Sequence, residues 1–117
     1  MAPGATVFLG SASERLLPLS LPFRFFAAAV LFHFAFWWVL ALGGADLAGY
    51  QGGGGPVLAA IHLLTLGVFV MTAMGASLQL LPVATLQGFA APRLIGAIWW
   101  LFTIGTVVLT TGMYLAW

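Results

Sequence analysis

The chain contains no cysteine. A disulfide framework, a thiolate metal site and covalent haem attachment through a Cys-x-x-Cys-His motif are therefore all excluded. Charge is almost as scarce: 4% of the 117 residues are charged, against about 25% in an ordinary soluble domain. The charges are Arg15, Arg24, Arg93, Glu14 and Asp46, and the formal net charge is +1. No basic surface is available for nucleic acid. Both acids lie outside the long apolar runs, so no carboxylate pair sits within them, and a hydrolytic or acid-base active site is not expected from this chain alone. By itself the chain reads as no enzyme, and at most as a subunit of an oxidoreductase complex. The first 22 residues lack a basic stretch followed by an apolar one, so no cleaved secretory signal is expected.

What remains is hydrophobic: 63% of the residues. About 20 consecutive apolar residues span the roughly 30 Å hydrocarbon core as a helix, the one single-segment structure that satisfies its own backbone without water. Three runs qualify, residues 23–42, 56–81 and 94–117. The expected fold is all-α, an integral membrane domain of three transmembrane helices over 23–117, preceded by a cytoplasmic or interfacial lead-in over 1–22 that contains "ERLLPLSLP". Arg15 and Arg24 precede or open the first span and Arg93 lies in the second connection, whereas the first connection, "GGADLAGYQGGGGP", holds neither Lys nor Arg. The positive-inside rule then makes the amino terminus cytoplasmic. Trp37, Trp38 and Trp117 fall near the outer interface, where indoles prefer to sit, and Trp99 and Trp100 lie deeper.

Gly43 and Gly44 end the first span, and Gly52 to Gly55 followed by Pro56 predict a flexible link into the second. A phosphate-binding loop is not indicated, because no Lys and Ser/Thr follow the glycines. In "PVATLQGFAAPR", Pro82, Gly88 and Pro92 predict a tight inner turn. At 100° per residue, His62, Thr65, Phe69, Thr72, Ala76 and Gln79 fall within one arc of the second helix. Hydroxyls and amides have no use against lipid, so this stripe is expected to face other helices or a cofactor. Gly67 and Gly75 lie outside the stripe and allow close approach of a neighbour. The third helix places Gly96, Trp99, Thr103, Thr106 and Thr110 on one side, where the threonines either meet a neighbour or bond back to their own carbonyls.

The candidates for cofactor chemistry are two histidines. His62 stands just inside the second span, and His33 lies mid-span in "AAAVLFHFAFWWVL". A histidine in a membrane span is a functional candidate because neutral imidazole keeps a donor and an acceptor to satisfy. Packing with a hydrogen bond is one solution, and ligation of haem iron or chlorophyll magnesium is the other. Ala29, one turn before His33, makes an A-x-x-x-H pattern that resembles the bacteriochlorophyll-binding segment of purple-bacterial antenna polypeptides. The depths of the two histidines differ by about 6 Å at 1.5 Å per residue, which disfavours their clamping one haem.

The second span carries a broader likeness. His62 and Leu63, Leu66 and Gly67, Met74 to Ala76, and Gln79 to Pro82 stand in "HLLTLGVFVMTAMGASLQLLPV", which resembles the second transmembrane helix of haem-copper oxidase subunit I and its cbb3-type and nitric-oxide-reductase-like relatives. The likeness extends more weakly to "LPFRFFAAAVLF" and covers the first three helices only. It implies that His62, as the matching histidine, is an axial ligand of haem b. His33 matches nothing in that motif. The family's other haem ligand and its copper ligands lie on helices absent from this chain. The implied function is a small transmembrane accessory subunit of a larger bacterial energy-transducing complex, in the inner membrane, with lipid and other transmembrane subunits as partners. Two alternatives stand beside it: a stand-alone or homo-oligomeric haem b electron carrier or sensor, and a structural or bacteriochlorophyll-associated subunit of a photosynthetic complex.

Overall fold

The computed structural model describes residues 14–88 and 91–116. Three helices among them are long and apolar enough to cross a membrane, and they alternate in direction. Helix α1 is Ser20–Gly43. It passes into a 3-10 helix, Gly44–Gly49, so the first helical stretch runs to Gly49 rather than ending at the glycine pair. Helix α2 is Pro56–Thr85. It opens on Pro56, whose missing amide proton costs nothing in a first turn, and it stops where Leu86 adopts a left-handed φ of 58°. Helix α3 is Pro92–Leu115, again with proline in its first turn.

Helices α1 and α2 are somewhat longer than the apolar runs that announced them, and α3 begins two residues before its run. The largest correction is at Pro82, expected to break α2: the helix continues three residues beyond it, and the ring is fully buried. Trp117 and the first 13 residues of the lead-in lie outside the described residues. Of the remainder, Leu17 is buried in the same cluster as Phe25 and Phe32, so this part of the lead-in belongs to the domain's core.

Helices α1 and α2 form the tightest pair. In lipid there is no hydrophobic drive between helices, so association rests on close packing, which small residues permit. Gly67 lies directly against Phe32: a β-carbon there would stand 2.6 Å from two Phe32 carbons. Gly75 does the same for Phe25 and Phe26 at 3.1 Å. At the far end, Gly43 accommodates the Pro56 ring. Both glycines singled out in the second span thus serve as contact points.

The middle of α2, Leu63–Val70, is a π-helix. Its buried residues Leu63 and Gly67, followed by Met71 and Gly75, recur every fourth position. In a straight α-helix such a series drifts about 40° per step, whereas wider π turns keep it in line. The same turns reconcile two unequal spacings, because Phe25 and Phe32 are seven residues apart and the glycines they meet are eight apart. The π segment holds the extra residue.

Helix α3 is attached at both ends. The indole Nε1 of Trp99 donates to the carbonyl of Arg24 at 2.9 Å, and the amide of Gly55 donates to the carbonyl of Met113 at 2.8 Å. Gly54 lies against the Ala116 carbonyl, and Gly52, Gly53 and Gly55 hold φ between 100° and 118°. The Tyr50 hydroxyl donates to the Gly53 carbonyl. The glycine run, expected as a flexible link, is instead a docked strap whose glycines supply conformations closed to other residues.

Candidate functional site

His62 closes the first α-helical part of α2, immediately before the π segment. Its ring is half-buried, and Nδ1 lies 3.0 Å from the Leu58 carbonyl one turn back. A carbonyl only accepts, so Nδ1 carries the proton and Nε2 presents its lone pair. Among the described residues Nε2 has no hydrogen-bond partner. The anchored nitrogen fixes tautomer and ring orientation, and the other is left able to accept a hydrogen bond or to ligate a metal.

His33 is arranged the opposite way. Its Nε2 accepts from the Trp37 indole at 2.8 Å, and the imidazole lies beside the Phe36 and Trp37 rings. The Trp37 donor and the His33 acceptor satisfy one another on the lipid-exposed side of α1. Ala29, the small residue of the A-x-x-x-H pattern, is buried in the core cluster with Leu63 and Met71 of α2.

The two histidines do not converge. Gly43 meets Pro56 and Phe32 meets Gly67, so His62 is level with Trp37 and His33 lies four residues, or about 6 Å, away along the axis. Their flanks differ too. His33 shares its side of α1 with Phe36 and Leu40, which border a groove with Ile61 and Leu64. Leu66, one turn beyond His62, borders a groove with Phe102 and Thr106 of α3. One flat macrocycle does not reach both rings.

The polar stripe on α2 is distributed differently from the 100° projection. Thr65, Phe69 and Thr72 are exposed, Ala76 and Gln79 are half-buried, and the face turned to α1 is Leu63, Gly67, Met71 and Gly75. Within this chain Thr65 and Thr72 are therefore not interface residues. The π turns advance less per residue than an α-helix, so positions before and after them no longer project as one arc. Thr65 is satisfied by the Ile61 carbonyl at 2.9 Å.

On α3 Thr103, Thr106 and Thr110 lie inward. Thr106 and Thr110 are buried, and Thr110 bonds back to the Thr106 carbonyl. Thr103 is half-buried, and its Oγ1 has no partner. Trp99, expected to lie deeper than a belt residue, is held level with Arg24 by its bond across to α1. What the sequence reading missed is the His33–Trp37 pair, for which the i, i+4 spacing was a visible signal, and the π segment, for which the four-residue recurrence was one.

No cluster of three or more His, Cys, Asp or Glu that could hold a bare metal ion exists among the described residues. No family model, curated protein or solved structure matches the chain.

Proposed function

We propose that the protein is a small transmembrane subunit of a larger bacterial energy-transducing complex of the inner membrane, and that His62 is an axial ligand of haem b. The observation that carries this reading is the His62 ring, with Nδ1 held by the Leu58 carbonyl and Nε2 left open. The donor set fits half of a bis-histidine pair and not the whole, since His33 is engaged by Trp37 on the other flank. The second ligand then comes from another subunit or from His62 of a second copy, and the homo-oligomeric carrier is the second reading. When bound, haem b supplies a one-electron couple. The chain's own contribution is to orient the imidazole, keep it in one tautomer and surround it with apolar side chains.

The test is an absorption spectrum of the purified protein and of its detergent-extracted complex, oxidised and dithionite-reduced. Sharp reduced haem bands that vanish in His62→Ala support the reading. A complex that forms without pigment, or whose bands survive the substitution, eliminates His62 as a ligand and leaves a structural subunit.

A further inference from the structure

Helix α3 meets α1 at the inner end through Trp99 and the glycine strap at the outer end, and a furrow runs between α1 and α3. Its inner lobe is bordered by Arg24, Ala27, Ala28, Leu31, Trp99 and Thr103, and its outer lobe by residues including Trp38, Leu42, Thr111 and Tyr114. The lobes share Phe32, Ala35 and Val107, and each encloses about 420 Å³. We propose that the inner lobe is a binding site for an anionic phospholipid, with the headgroup phosphate at Arg24 and one acyl chain lying along the lobe.

The length of the site suits an acyl chain. From Arg24 to Leu42 the furrow is about 27 Å long at 1.5 Å per residue. The inner lobe alone, Arg24 to Ala35, is about 17 Å long. That is close to half of the roughly 30 Å hydrocarbon core, the depth of one leaflet.

Charge selects the headgroup. Among the described residues Arg24 is the only charged one bordering the furrow, and it stands at the inner end, five residues into α1. From there its long side chain reaches the interface while its stem stays on the apolar wall. The chain's carboxylates are Glu14 and Asp46, and Asp46 is at the opposite end of the bundle. Below Arg24 the wall is almost wholly apolar, as an acyl chain requires. Trp99 bonds the Arg24 carbonyl, which levels those two residues, and Thr103 lies one turn, about 6 Å, deeper, with its Oγ1 buried in the protein rather than open to the lobe.

The experiment is native mass spectrometry of the intact protein released from nanodiscs of equal phosphatidylglycerol and phosphatidylcholine content. Phosphatidylglycerol is expected to be retained preferentially, with the preference falling about five-fold in Arg24→Gln, the effect of one cation near an anionic headgroup. Arg93→Gln keeps the preference. Ala35→Phe, which fills the waist of the furrow, reduces retention of both lipids. Circular dichroism melts of the variants separate loss of the site from loss of the fold. Equal retention of the two lipids by the native protein, or equal losses in Arg24→Gln and Arg93→Gln, overturns the proposal. So does a furrow occupied by a second copy's helix in cross-linking from Ala35→Cys.

Discussion

At the scale of single residues, similar side chains have been given unlike tasks by their neighbours. The two imidazoles differ in which nitrogen is occupied: Trp37 takes Nε2 of His33, and Leu58 takes Nδ1 of His62. His33→Leu should therefore leave any haem spectrum unchanged while releasing the Trp37 indole, seen as a shift in tryptophan fluorescence; loss of haem from this variant would refute the assignment of roles. The glycines divide in the same way. A β-carbon at Gly67 meets Phe32 at 2.6 Å, whereas one at Gly105 meets nothing within 4 Å. Gly67→Ala is expected to destabilise by about 1–3 kcal/mol through overpacking, and Gly105→Ala to be neutral or slightly stabilising. Thermal midpoints in detergent decide this, and matching midpoints would remove the close-contact argument.

At the scale of elements, the π segment is the feature that most changes how the chain is read. A helix with one residue too many for its partner can widen its turns or lose its contacts, and α2 has widened them over Leu63–Val70, which runs into the interval between Gly67 and Gly75. Deleting Val70 makes that spacing seven, equal to the spacing of Phe25 and Phe32. The prediction is that this deletion is tolerated and converts the segment to regular α-helix. Deleting Leu31 from α1 widens the mismatch and should lower the thermal midpoint substantially. Equal damage from both deletions would show that the π turns do not compensate register. Pro82 makes a related point: its position within α2 is tolerated because the ring is enclosed by protein, which local propensity does not record.

At the scale of the whole molecule, alternating helix directions bring Arg15, Arg24 and Arg93 to one end of the bundle and the Gly52 to Gly55 strap to the other. The positive-inside rule then assigns the arginine end to the cytoplasm. Because the chain has no cysteine, single-cysteine labelling tests this cleanly. Gln51→Cys should react with an impermeant maleimide on intact spheroplasts, and Gln87→Cys only after permeabilisation. The reverse pattern would invert the topology. The same arrangement exposes many large apolar side chains, among them Phe34, Trp38, Leu101 and Val108, as lipid contact requires.

The sequence by itself determined the class of protein, the number and approximate limits of the spans, and the glycines at which helices approach, because hydropathy and side-chain size are local properties. His62 was legible as a candidate for the same reason: an imidazole in an apolar run stands out without any structure. Which face of α2 meets α1, whether the glycine run swings free or docks, and which imidazole nitrogen is free were decided by tertiary contacts. Each depends on a partner distant in the chain or on an accumulated helical phase. A projection at 100° per residue fails once eight residues turn more slowly; the four-residue recurrence of Leu63, Gly67, Met71 and Gly75 signals the wider turns, but Phe25 and Phe32, which demand them, lie on another helix.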